Sequence, residues 1–112
     1  MHQVLIRSAS SIYFGANMAL ITLAEFTEKT KAMGYDEVSI RQWEPNQISH
    51  THTHEFAVHA VVARGEMWLT RGDETAHLKV GDTFTMDSDT PHAEKYGPDG
   101  TIYWAARKFP KI

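Results

Sequence analysis

The spacing of hydrophobic and polar positions changes period once along this chain. Between Thr22 and Gly34, Leu23, Phe26, Thr30 and Met33 recur at three- and four-residue intervals and share one helical face. Thr22 and Glu25 form a capping box, in which the N-cap hydroxyl and the N3 carboxylate each satisfy the other's backbone N–H, and Gly34 supplies a stop. A helix is therefore expected over 22–33, packed as a lid, with Glu25, Glu28, Lys29 and Lys31 on its wet side. From residue 37 onward the period becomes two. Glu37–Trp43 alternates, with Val38, Ile40 and Gln42 on one face, and Glu44-Pro45-Asn46 turns the chain. A long strand follows over 52–63, then 66–70 after a hairpin bend at Gly65, 75–79, 83–86, 92–96 and 101–107. Arg71-Gly72-Asp73, Val80-Gly81-Asp82, the polar loop 87–91 and Gly97-Pro98-Asp99-Gly100 separate the later strands. About seven short strands with a turn signal roughly every ten residues predict an all-β sandwich or barrel. No βα alternation follows the helix, which disfavours a parallel sheet.

Length and charge narrow this picture. At 112 residues the chain suits one domain: an N-terminal extension over 1–21 and a barrel domain over 22–112, with its core at 37–107. The extension carries the apolar run Val4-Leu5-Ile6 and is expected to pair with the sheet edge or another subunit; it lacks the clean apolar stretch and cleavage site of a signal peptide. No run approaches the ~20 apolar residues of a membrane helix. The net charge of −3 and the lack of a Lys/Arg run argue against nucleic-acid and anionic-membrane partners. The chain has no cysteine, which excludes disulfides, thiolate metal sites and cysteine nucleophiles, and is compatible with the cytoplasmic setting expected here.

The candidate chemistry lies in His50-Thr51-His52-Thr53-His54. On a strand, imidazoles at alternate positions stand side by side on one face, as part of a metal site requires. His92, directly after the Thr90-Pro91 turn, could add a third nitrogen from a neighbouring strand. Histidines in such a polar stretch can equally be solvated or hydrogen-bonded to threonine. His50 is placed just before the strand, as a ligand or as a loop histidine at the barrel mouth. Glu55 should point away, and His77 reads as a solvated or carbonyl-bonded strand residue. Trp68 and Trp104 read as interior or pocket-lining rings.

Two motifs at the right mutual distance make residues 38–107 resemble the cupin family. Its first motif is a glycine, five residues, His-x-His, three or four residues, a glutamate, six residues and a glycine; here His52-Thr53-His54 takes the His-x-His place and Gly65 the closing glycine. Its second is a glycine, five residues, Pro-x-Gly, two residues, a histidine, three residues and an asparagine; here Gly81 opens it and His92 takes the histidine place. Asn46, Asp87, Asp89 and Tyr96 replace the first glycine, the proline, the second glycine and the asparagine. The glutamate is missing: the spacing lands on Val58 or, with the longer spacer, on His59, which a β-bulge would turn inward.

The resemblance implies a double-stranded β-helix (jelly-roll) barrel holding a divalent ion (Fe, Mn, Zn or Ni) on His52, His54 and His92, with His59 as a possible fourth ligand. Three neutral imidazoles would leave the ion's charge uncompensated and favour a small anionic or carbonyl-bearing ligand. Tyr96, on the face of His92 if that strand is regular, is the nearest candidate for a catalytic group, with a core tyrosine as its alternative. The family permits metal-dependent oxygenase, isomerase or decarboxylase chemistry, and also non-catalytic ligand-binding or sensing modules. A homodimer formed through an edge strand is expected.

Overall fold

A computed structural model describes residues 21–111 and the backbone of 5–7. The elements are β1 (Leu5–Arg7), α1 (Leu23–Ala32), β2 (Glu37–Trp43), β3 (Ile48–His52), β4 (Ala57–Arg71), β5 (Glu74–Lys79), β6 (Thr83–Met86) and β7 (His92–Lys108). All strand pairs are antiparallel. The remainder of the N-terminal extension lies outside the described residues, but its strand β1 pairs with β6, at the sheet edge.

Two strands, β4 and β7, each serve both layers of the barrel. The first half of β4 and the second half of β7 pair with each other, with β6 beyond β4 and β2 beyond β7. The second half of β4 and the first half of β7 also pair, with β5 and β3 on their flanks. The crossing point lies at Gly65, where the register runs Gly65↔Thr101 and then Met67↔Tyr96. Gly65 and Gly97–Gly100 are thus not the hairpin bends that their composition predicts. They are bulges at which two continuous strands turn a corner, which increases twist and re-aims the side chains beyond. Gly65 and Gly100 both sit at φ +77°. A Cβ on Gly65 would overlap the Gly100 carbonyl oxygen and lie 3.2 Å from Gly100 C and Thr101 Cα, so only glycine allows this approach.

The core fills the space between the layers: Val58, Ala60, Val62, Met67, Leu69, Leu78, Phe84, Met86, Tyr96, Tyr103 and Ala105, with Trp43 and Phe56 against them. A second cluster lies on the outside of the β2–β7–β4 layer, where Phe26 of α1 meets Val61 and Ala106, with Val38 and Trp104 at its border. The helix is the capped lid expected: Thr22 and Glu25 form the reciprocal box, and Gly34 N–H to Lys31 O with Tyr35 N–H to Thr30 O close it as a Schellman motif. Phe26 and Thr30 are buried, but Met33 is exposed.

On β2 the face carrying Val38, Ile40 and Gln42 turns outward, with Ile40 exposed. The polar-looking alternate face, Ser39-Arg41-Trp43, turns into the barrel. Trp68 and Trp104 are likewise on outer faces. Trp68 stacks on His77 at 4.5 Å, and His77 Nε2 reaches Glu66 Oε1 at 2.6 Å.

Two of the departures from the family's glycines have a backbone explanation. Asn46 (φ +59°) and Asp89 (φ +60°) are the non-glycine residues at positive φ among the described residues. Asn and Asp enter this left-handed region more readily than other side-chain-bearing residues, so the turns persist without glycine.

Candidate metal centre

The histidine run does not form one strand. His50 and His52 lie on β3, His52 at its end, and His54 is in the loop before β4. His50 is exposed. His52 pairs directly across from His92, the first residue of β7. The loop is pinned by the Asp89 N–H donating to His54 O at 2.7 Å, which ties it to the turn leading into His92. The result brings His52, His54 and His92 together: one ligand atom from each lies within 4.8 Å of the others. Ring centroids are 4.4 Å apart for His52–His92, 4.7 Å for His52–His54 and 5.1 Å for His54–His92.

Backbone carbonyls set two of the tautomers. His52 Nδ1–H donates to His50 O at 2.7 Å, and His92 Nδ1–H donates to Thr90 O at 2.8 Å. A carbonyl can only accept, so each Nδ1 carries the proton and Nε2 is left for ligation, the usual arrangement behind a metal-binding imidazole. Burial, with the neighbouring His92 and His52, holds His54 below the ordinary imidazole range. It therefore stays neutral, as a ligand must.

Glu94 is the cavity carboxylate that the motif spacing does not single out. It is buried, its Oε2 lies 3.2 Å from His92 Nε2, and its Oε1 accepts from the Tyr96 hydroxyl. Burial works against a charge on His92, but the Glu94 carboxylate and the Thr90 carbonyl outweigh it and raise the imidazole above its usual value. Strand alternation was the available signal: His92, Glu94 and Tyr96 share one face of β7, and the rule that places Tyr96 there places Glu94 as well.

A narrow cavity of about 60 Å³ opens beside the three rings, lined also by Arg41, Trp43, Phe56, Glu94, Tyr103 and Arg107. Arg41 lies over the Trp43 ring at 5.3 Å, and Arg107 over the Phe56 ring at 4.8 Å. Burial, with Glu94 nearby, drives the Tyr103 phenol far above its ordinary range, so it stays protonated and can donate.

His59 is not brought to this cluster. Alternation from Val58, which is in the core, turns His59 to the outer face, and no bulge intervenes. There its ring stacks on Phe26 at 6.0 Å and its Nδ1 meets Thr85 Oγ1 at 3.0 Å. Tyr96 is fully buried, stacks on Trp43 at 4.6 Å and meets the site only through Glu94.

The donor set suits a divalent ion. Two donors on one ion at ~2.0–2.2 Å stand roughly 3 Å apart, and the 3.2 Å between Glu94 Oε2 and His92 Nε2 is of that order. Three imidazoles with preset or neutral tautomers are chemically what such an ion takes, and the Glu94 carboxylate stands beside one of them.

Comparison with known proteins agrees with this architecture. The family model described as a cupin domain matches residues 39–96, just over half of the chain, and the chain belongs to the cupin family. Solved structures share the fold. A conserved Streptococcus pyogenes protein of unknown function, SPY1581, aligns with TM-score 0.60 and 18% identity over 68% of this chain and 66% of its own. An RmlC-like cupin from Shewanella frigidimarina aligns with TM-score 0.59 and 17% identity over 67% of each chain. A chain from the structures of the DMSP lyases RdDddP and RnDddQII aligns with TM-score 0.60 and 20% identity over 64% of this chain and 37% of its own. The match thus spans under two-thirds of the streptococcal chain and well under half of the lyase chain. No curated protein matches in sequence. No described helix is long and apolar enough to cross a membrane.

Proposed function

We propose that this cupin binds a divalent metal ion through His52, His54 and His92 and uses it to hold a small anionic or carbonyl-bearing ligand in the barrel mouth. The observation that carries this reading is the convergence of the three imidazoles, with ligand atoms within 4.8 Å, from a strand end, a loop and a second strand. His59 is left out of the ligand set because it lies on the outer face. A bound ion would supply Lewis-acid polarisation of a ligand oxygen. The chain's own contribution is orientation and charge: the His50 and Thr90 carbonyls hold two rings in place, Glu94 sets a carboxylate beside His92, and Arg41 and Arg107 favour a negative guest.

A binding or sensing module is the second reading: Glu94, the carboxylate lining the cavity, has Oε1 tied to the Tyr96 hydroxyl, so a single oxygen is left for proton transfer, and that one faces His92. The expected cytoplasmic homodimer remains part of this reading, with sedimentation of the full chain as the check on its size.

The test is elemental analysis of protein purified without a histidine tag, beside the double variant His52→Ala/His54→Ala. Near-stoichiometric metal in the parent and its loss in the folded variant are expected. Metal retained by the double variant, or a parent that takes up none when iron, manganese, zinc and nickel are offered, refutes the assignment.

A further inference from the structure

The wall facing the histidines is built of hydrogen-bond donors. On the inward faces of β2 and the second half of β7, Ser39 pairs with Ala105, Arg41 with Tyr103 and Glu37 with Arg107. Among the described residues, Arg107 Nε and Ser39 Oγ are buried without a hydrogen-bond partner, and the Trp43 indole and the Arg41 guanidinium lie by the Tyr103 hydroxyl. Arg41, Trp43 and Arg107 line the cavity, and each can donate. Buried polar groups are nearly always satisfied, so the unpaired Arg107 Nε–H on the cavity wall marks where an acceptor is missing. The Arg41 and Arg107 guanidinium groups lie over the Trp43 and Phe56 rings, and each carries more N–H donors than that contact uses. Arg107 has only a long contact to the exposed Glu37, 3.4 Å from Nη1. Two arginines against one engaged carboxylate leave the cavity positive before any ion enters. Its volume of about 60 Å³ admits only a short molecule.

We infer that Arg41 and Arg107, with Trp43, form a carboxylate subsite, and that the ligand is a short-chain hydroxy- or oxo-carboxylate. Its carboxylate lies on this wall and its hydroxyl or carbonyl oxygen is turned toward the histidines. Forked guanidinium N–H groups match a planar carboxylate better than a single ammonium would. This inference rests on the metal-binding reading for the ligand's second oxygen, and on the donor wall alone for its carboxylate.

Calorimetric titration of the full chain, metal-loaded and metal-stripped, with lactate, pyruvate and the neutral isostere lactamide tests it. The loaded chain should bind lactate and pyruvate at least tenfold more tightly than lactamide. Arg107→Gln and Arg41→Gln should each weaken lactate by tenfold or more with metal content unchanged, and Arg107→Lys, which keeps charge and bulk, should fall between. The stripped chain should keep a weaker, arginine-dependent preference for lactate over lactamide. Equal binding of lactate and lactamide, unchanged binding in the arginine variants, or no binding of either acid overturns the subsite. A parent that takes up no metal yet keeps the arginine-dependent preference refutes the metal reading instead.

Discussion

Gly65→Ala isolates the contact on which the two-walled site depends. His92 opens one arm of β7 and Arg107 nearly closes the other, and the corner at Gly65 and Gly97–Gly100 sets the arms in different layers. A side-chain-bearing residue at φ +77° carries a left-handed penalty of about 1–2 kcal/mol. The added methyl also overlaps the Gly100 carbonyl, a backbone atom on the partner strand that cannot swing aside, and overpacking of this kind costs about 1–3 kcal/mol. The expected loss is therefore about 2–5 kcal/mol. Gly72→Ala is the matched control: its φ is +63° and a Cβ there meets nothing within 4 Å, so only the backbone penalty applies. Urea unfolding of both variants, metal-stripped, gives the difference directly, with an unchanged slope showing that the same surface is exposed. Gly65→Ala should be less stable than Gly72→Ala by about 1–3 kcal/mol. Equal midpoints for the two variants would show that the corner relaxes freely and that the close approach of β4 to β7 contributes nothing.

Other consequences follow from single contacts. Glu94→Gln keeps the volume but removes the charge facing His92; metal affinity, read by chelator competition, should fall by about 10–100-fold, and an unchanged affinity would detach Glu94 from the site. The same pair has a pH signature in the metal-stripped chain. Because the folded-state pKa of His92 is raised, its stabilisation is fully present below about pH 6.5 and is lost as pH rises through the folded value. The melting difference between parent and Glu94→Gln should therefore be larger near pH 6 than near pH 8, and a reversed order would contradict the raised pKa. The Lys111 ammonium and the Phe109 N–H hold Asp36 below its usual carboxylate value, so this C-terminal tether is present above that value and is lost as pH falls through the depressed one. The hydrogen-exchange protection factor of the Phe109 amide should fall on acidification in the parent and be low at every pH in Asp36→Ala. Phe26→Ala removes a ring that is 1% exposed and should destabilise by about 3–5 kcal/mol, yet leave metal content intact, since α1 packs on the outside of the barrel; loss of metal in the folded variant would tie the lid to the site.

Local sequence determined the elements of this protein and marked the three histidines of the candidate site. The capping box at Thr22 and Glu25, the Gly34 stop and the two-residue alternation after residue 37 are short-range signals, and helix and strands follow them. The spacing of His52, His54 and His92 against the motif glycines was likewise legible, because a histidine pair two residues apart and a turn ahead of the third histidine are local features. Tertiary structure decided which faces turn inward. Period two marks two faces of β2 without saying which is buried, and the helix claims the apolar Val38 side, so Arg41 and Trp43 enter the barrel. It also decided that Gly65 and Gly97–Gly100 bend strands instead of ending them, because a bulge and a hairpin share the same residues and differ only in what lies across from them. Glu94, one step along a face that alternation already marks, stands out as the cavity's carboxylate only in the tertiary structure, where it is buried between His92 and Tyr96.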